Sequence, residues 1–280
     1  MIEIQNINFF YKKKSPLFEN FSLSVADGSI VGLLGKNGAG KTTLLKLIAG
    51  LLPAQNGTIR VNGFAPAERK PAFLADVSVI PEEFSLPALS ISAYVDALQP
   101  LYPNFDREKL NKILAEFELK TGDKLHKLSH GQRKKFLIAF ALACNSKVLI
   151  LDEPTNGLDI PSKSQFRKIL VSSVTDEQIV LISTHQVRDI ESIIDTVVVI
   201  DEGKTIFNNT LENVSREYRF ETATDLKTAE NALYYEKSFD GYHCVSPANS
   251  AEETNVNLEL FFNFKIQEPR AKNQDLEVLK

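Results

Sequence analysis

The nine residues Gly35-Lys36-Asn37-Gly38-Ala39-Gly40-Lys41-Thr42-Thr43 fit the pattern G-x-x-x-x-G-K-[ST]. They lie between an apolar run, Ile30-Val31-Gly32-Leu33-Leu34, and a stretch of helical character from Thr42 to Ala49. This strand–loop–helix order constrains the fold more than any other feature. Glycines let successive backbone N–H groups curl around phosphate oxygens, and the helix N-terminus adds partial positive charge. In such a loop Lys41 reaches the outer phosphates as a point charge, and the Thr42 hydroxyl sits on Mg²⁺. A mere glycine-rich turn would not require a Lys-Thr pair directly after its last glycine. The run therefore predicts a nucleoside triphosphate site, with Gly35, Asn37, Gly38, Ala39, Gly40, Lys41, Thr42 and Thr43 around the phosphates.

With 280 residues, 43% of them hydrophobic, the chain can build one large domain or a domain plus a smaller appendage. A net charge of −4 and a pI near 5.7 provide no global basic field, so no nucleic-acid partner is expected. Cys144 and Cys244 offer neither a disulfide framework nor metal-ligand spacing, which suits a reducing cytoplasm. Cys144, beside Ala139 to Ala143, reads as a small core residue. The first residues lack the basic-then-apolar order of a secretory signal. Apolar runs such as Val197 to Ile200 fall far short of the ~20 residues that span a bilayer. Any membrane role is expected to come through a partner.

Residues 1–80 read as β-rich with one helix, the helix stopping at Gly50, a residue suited to the position after a helix end. Asn56-Gly57 and Asn62-Gly63 bracket a short strand and give a hairpin signal. From about 83 to 143 the spacing becomes helical, with Leu110, Ile113, Leu114 and Phe117 recurring at three and four behind the cap region Pro103 to Asp106. Val148–Leu151, Ile179–Ser183 and Val197–Ile200 are apolar and β-branched, the mark of parallel strands covered on both faces. Helices are expected between them, at about 161–173 and 186–194. Residues 206–268 read as a small α/β appendage, with Thr222 to Lys237 and Val256 to Ile266 helical. The polar residues 269–280 are expected to be disordered.

A second chemical element follows downstream. Val148-Leu149-Ile150-Leu151-Asp152-Glu153 is a buried strand ending in two acids. At the C-terminal end of a strand beside a phosphate loop, Asp152 would hold Mg²⁺ and Glu153 would polarise the attacking water. A solvated acid pair at a strand end is the plainer reading for that motif alone; the phosphate loop upstream favours the functional one.

The third element is Leu128-Ser129-His130-Gly131-Gln132, which opens a helix with Arg133, Lys134 and Lys135. Here the chain resembles the nucleotide-binding domain of ATP-binding cassette (ABC) proteins, whose signature reads Leu-Ser-Gly-Gly-Gln. The likeness covers about residues 1–205. Gly157-Leu158-Asp159 looks like the family's D-loop, His185 like its switch histidine, Ile80-Pro81-Glu82 occupies the place of its Q-loop, and Tyr11 lies where an aromatic residue meets adenine. Tyr11 could otherwise be a half-buried strand residue, and His185 a surface histidine. There are two departures. Glu82 replaces a glutamine, keeping an oxygen for Mg²⁺ or water while adding charge. His130 replaces the first glycine of the signature pair, and Gly131 is retained.

The resemblance implies a P-loop α/β fold: a β-rich subdomain, a mostly parallel core sheet with helices, and an inserted helical subdomain. It also implies an ATPase using ATP and Mg²⁺. By the same likeness, Lys41, Glu153 and His185 would carry catalysis, and Thr42, Glu82 and Asp152 the metal. Ser129, Gly131, Gln132 and Asp159 would contact ATP held by a second ABC subunit in a sandwich, as homodimer or heterodimer. The driven partner would be an integral membrane permease. Leu101 to Asp106 and the Asn257 to Phe261 segment look similar to ATPases of bacterial export systems with separate permeases. The cassette would then sit in the cytoplasm at the inner face of the membrane. The rival readings are a soluble ABC ATPase, for example in iron–sulfur assembly, and a regulatory subunit that binds ATP without turnover. Glu153 and His185 speak against the last.

Overall fold

The computed structural model describes residues 1–12, 15–248 and 254–278, with side chains as far as residue 268. β1 (Ile2–Lys12) and β2 (Ser15–Val25) pair antiparallel. Their alternation buries Ile2, Ile4, Ile7 and Phe9 against Phe18, Phe21, Leu23 and Val25. β3 (Ile30–Leu34) runs into the glycine loop and α1 (Lys41–Ile48). Gly50, at φ 67°, follows the Ala49 cap as expected, and a Cβ there would lie 2.3 Å from the Pro66 carbonyl oxygen. β4 (Asn56–Val61) joins the far edge of β1 instead of forming a hairpin of its own, giving the order β2-β1-β4. The Asn62-Gly63 turn closes only a single bridge, Val61 to Phe64.

α2 (Pro71–Ala75) leads to β5 (Val77–Ile80), after which the helical insertion begins. It contains α3 (Ile91–Leu98), α4 (Arg107–Glu116) and α5 (His130–Ala143), capped by the side chains of Ser90, Asp106 and Ser129. The chain returns through β6 (Val148–Asp152), α6 (Ile160–Ser173), β7 (Ile179–Thr184), β8 (Thr196–Asp201) and β9 (Lys204–Thr210). The central sheet has the order β5-β6-β7-β3-β8-β9, parallel except for β9. Alternate residues serve two cores. Leu34, Leu149, Leu151, Val180, Ile182, Val197 and Val199 join one, and Val31, Leu33, Val148, Ile150, Ile179, Leu181, Val198 and Ile200 the other. Burial on both faces is what the unbroken apolar strands demand.

The remainder comprises α7 (Leu211–Glu217), β10 (Tyr218–Ala223), α8 (Leu226–Ala229), β11 (Tyr234–Ser238), β12 (Gly241–Pro247) and α9 (Leu258–Val278). Several expectations are corrected here. Thr222–Lys237 is not one helix: it holds the end of β10, the single turn of α8 and most of β11, because both strands pair with β12. Residues 186–194 form a 3₁₀ turn at Val187–Asp189 and further turns, not an α-helix. β9 straddles the expected boundary at 205/206, tied there by its pairing with β8. The tail expected to be disordered continues α9 as far as Val278; residues 279 and 280 lie outside the described residues.

α9 shares the core of the central sheet: Leu258, Leu260, Phe261 and Phe264 belong to the same buried cluster as Leu34 and Val199. It also meets the segment after β7, where the Glu191 carboxylate accepts from the Leu258 N–H at 2.9 Å and Arg188 pairs with Glu259 at 2.5 Å.

Candidate active site

β3 and β6 flank β7, and the register sets Leu34 beside Thr184 and Asp152 beside Ser183. The C-terminal ends of the three strands thus open on one edge, where the glycine loop, Glu153 and His185 follow directly. Along the loop Gly38 and Gly40 have φ of 84° and 106°. A Cβ on Gly40 would lie 2.7 Å from the Phe18 ring, and one on Gly35 would lie 2.5 Å from the Ile200 carbonyl oxygen. Two glycines are therefore fixed by close approach, and Gly38, with open space around it, by its backbone angle alone.

Lys41 is buried and its Nζ donates to the carbonyl oxygens of Gly35 at 2.7 Å and Lys36 at 3.3 Å. Burial pushes its ammonium below the usual lysine range, while the carboxylates of Glu153, Asp152 and Glu82, in that order, push back. Three acids thus share the field of one loop lysine. Tyr11, 63% exposed, hydrogen-bonds through its hydroxyl to Thr43 Oγ1 at 3.0 Å and stands edge-on to Phe9. One groove is lined by Tyr11, Lys36, Asn37, Gly38, Gly40, Lys41, Thr42, Thr43, Glu82 and Glu153.

Asp152 ends β6, buried, and accepts a hydrogen bond from Ser183 Oγ. Glu153 adopts φ 48°, in the left-handed region that costs a non-glycine residue about 1–2 kcal/mol. Its N–H donates to the Ser183 carbonyl at 3.1 Å and approaches Ser183 Oγ at 3.2 Å. Glu153 Oε1 lies 2.9 Å from His185 Nδ1, and its Oε2 is buried with no hydrogen-bond partner. With the carboxylate accepting, Nδ1–H is the donor, and the partly exposed ring turns Nε2 away from Glu153. Glu82 Oε1 accepts from Asn156 Nδ2 at 3.0 Å, and Asn156 Oδ1 accepts from Gln186 Nε2 at 3.1 Å.

The signature residues do not line this groove. Ser129 and Gln132 form a capping box, with Ser129 Oγ accepting from Gln132 N–H at 3.2 Å and Gln132 Oε1 accepting from Ser129 N–H at 2.9 Å. Gly131 lies in the first turn of α5, and its φ is not among the positive ones, so it serves no left-handed turn. A Cβ on it would lie 3.1 Å from the Gly157 carbonyl oxygen, which is the close approach that glycine permits. His130 stacks on Phe84 at 5.2 Å, and a Cβ on Gly157 would lie 3.0 Å from its Nδ1. Asp159 caps α6, accepting from Ser162 N–H at 2.9 Å, and hydrogen bonding from Ser162 holds its carboxyl below the usual range.

Sequence reasoning missed Asn156, Ser183, Gln186 and the role of Lys134, whose Nζ donates to the carbonyl oxygens of Glu153 at 2.9 Å and Asn156 at 3.0 Å. Only Asn156 carried a signal, its place between Glu153 and Gly157.

The residues present suit a triphosphate with its metal ion. The glycine loop is a cradle that added Cβ atoms would fill or strain, and the buried Glu153 Oε2 lacks a partner. Thr42, Asp152 and Glu82 offer hard oxygens. Such oxygens suit Mg²⁺, which binds through one or two protein groups together with phosphate and water ligands.

A phosphate cradle, a strand-end acid and a histidine just past the end of the neighbouring strand are the parts of a P-loop nucleotide hydrolase, here with its helical insertion between β5 and β6. The ABC transporter family matches residues 18–156, and the chain belongs to the ATP-binding proteins of that family. It is 32% identical over 225 residues to the lipopolysaccharide export system ATP-binding protein LptB of Haemophilus influenzae, covering 76% of this chain and 92% of the relative. It is 33% identical over 216 residues to the zinc uptake system ATP-binding protein ZurA of Listeria monocytogenes, covering 72% and 83%. A solved structure of an ATP-binding subunit of an ABC transporter is similar with a TM-score of 0.70 and 25% identity, covering 77% of this chain and 92% of that one. The chain is thus an ATP-binding, ATP-hydrolysing transporter subunit that uses ATP and Mg²⁺. No helix among the described residues is long and apolar enough to cross a membrane.

Proposed function

We propose that the chain is the ATPase of an exporter with a separately encoded permease, working as half of a sandwich of two cassettes. Lys41 and the loop N–H groups would hold the outer phosphates, with Tyr11 against the adenine. Mg²⁺, held by Thr42, Asp152 and Glu82, would neutralise phosphate charge. Glu153 would take the proton of the attacking water, and His185, oriented by Glu153, would donate from Nε2 toward the γ-phosphate.

The observation that carries the two-cassette reading is the split of the site. Ser129 caps α5 outside the groove that Lys41 and Glu153 line, so one chain brings only half of the expected contacts together. A second copy, or a homologous cassette, would supply Ser129, Gly131, Gln132 and Asp159 across the seam. Closure would then drive the permease through the helical insertion and the Glu82 loop, placing the chain at the inner face of the membrane. Export rests on the likeness to LptB and on the Leu101 to Asp106 segment; the likeness to ZurA, an uptake protein, is the counterweight. Co-expression with an adjacently encoded multi-span protein, followed by reconstitution into liposomes with ATP outside, tests both points. Cargo entering the lumen means export, and cargo leaving it means uptake. A chain that binds no such protein would refute the permease.

A further inference from the structure

Lys134 lies in α5, five residues after the Ser129 cap, and is 0% exposed. A fully buried ammonium is costly to desolvate. No carboxylate pairs with it directly: its two partners are the carbonyl oxygens of Glu153 and Asn156, at 2.9 and 3.0 Å. A Met or Leu could fill the same space without desolvating a charge; what the ammonium adds is its two hydrogen bonds and an attraction to the carboxylates of Glu82, Glu153 and Asp152.

Those bonds bracket one turn. Glu153 and Asn156 are its ends, closed also by Asn156 N–H to the Glu153 carbonyl at 3.3 Å. Glu153 holds φ 48°, a conformation that persists only where the surroundings over-determine it. Its N–H is fixed from β7 by Ser183, and its carbonyl is fixed from α5 by Lys134. The same turn presents Asn156 Nδ2 to Glu82. α5 thus grips, through one side chain, the backbone that aims the Glu153 carboxylate and the residue that holds the Glu82 loop.

We propose that Lys134 is a positioning residue for hydrolysis: its ammonium clamps the Glu153–Asn156 turn from the helix that carries the signature, setting the aim of Glu153. This rests on the reading of Glu153 as the group that activates water. A shift of α5 would then reach Glu153 within its own chain through this contact.

The test is a double-mutant cycle on the full chain. It uses Lys134→Met, which keeps the stem and removes the donors, Glu153→Gln, and the pair. Hydrolysis is followed in single turnovers to resolve residual rates, with binding of a fluorescent ATP analogue and thermal midpoints measured alongside. Lys134→Met is expected to lower kcat by about 10- to 100-fold with analogue affinity within about threefold. On the Glu153→Gln background it should add less than about threefold, because both substitutions disable one device. Multiplying fully on that background, or leaving kcat unchanged alone, would overturn the proposal. Lys134→Gln, polar and shorter, is the second variant; loss of folded protein in both would make Lys134 a structural residue and equally overturn it. Parent-like turnover in Glu153→Gln would instead remove the Glu153 reading, a result visible before Lys134 is touched.

Discussion

His185 Nδ1 lies 2.9 Å from Glu153 Oε1, while the other carboxylate oxygen, Oε2, is buried without a partner. If Glu153 is the base, one oxygen orients the histidine and the other is left to take a proton. Glu153→Gln should keep ATP binding and lower turnover by at least ~10²-fold, the scale of a general base. It should also accumulate as an ATP-bound dimer, read by light scattering with and without Mg²⁺-ATP. Turnover within a few-fold of the parent would sink this assignment.

Lys41 spans the loop from inside, donating to Gly35 and Lys36 carbonyls. Lys41→Ala removes a charge-assisted donor of ~1.5–3 kcal/mol. ATP affinity, turnover or both should fall at least tenfold or so. Equal titration curves and equal rates in parent and variant would contradict the phosphate role.

Tyr11 is exposed and tethered to Thr43 by one hydroxyl contact. Tyr11→Ala should weaken ATP by only ~1–2 kcal/mol, and Tyr11→Phe by less, since the ring is retained. Calorimetry that ranked Phe with Ala would assign the contact to the hydroxyl instead of the ring.

Gly38 and Gly40 separate two reasons for glycine. Gly38→Ala adds a Cβ in open space and should cost only backbone strain, about 1–2 kcal/mol. Gly40→Ala also drives a Cβ to 2.7 Å from the Phe18 ring, so its thermal midpoint and ATP affinity should fall further. The reverse order would show that Phe18 yields freely.

His130 stacks on Phe84 of its own chain and faces Gly157. With the ring held there, His130→Gly should retain turnover within about tenfold, or ~1.4 kcal/mol. A larger loss, with the variant still folded, would make the imidazole part of the seam.

Much of this was legible in the chain. Ile30 to Thr43, Val148 to Glu153 and Ile179 to His185 each join an apolar strand to polar residues at its end, so local pattern and tertiary role agree there. The misreadings come from non-local or close-packing effects. Thr222 to Lys237 is rich in Ala, Leu, Lys and Glu, which favours helix, yet pairing of β10 and β11 with β12 decides it. Val187, Ile190 and Ile193 recur every third residue, which is the period of a 3₁₀ turn. Contacts that went unread, Lys134 on carbonyls 19 and 22 residues away and Gly131 close to the Gly157 carbonyl, leave no trace in spacing.

α9 closes the same core face as β8 and β9, with Phe261 meeting Phe207 at 4.9 Å. A ribosome delivers these residues long after the glycine loop and both acids have emerged. Until Phe261 and Phe264 arrive, β8 and β9 lack the part of their cover that α9 supplies. A message cut after residue 205, which also splits β9, should therefore yield protein that aggregates instead of a smaller ATPase.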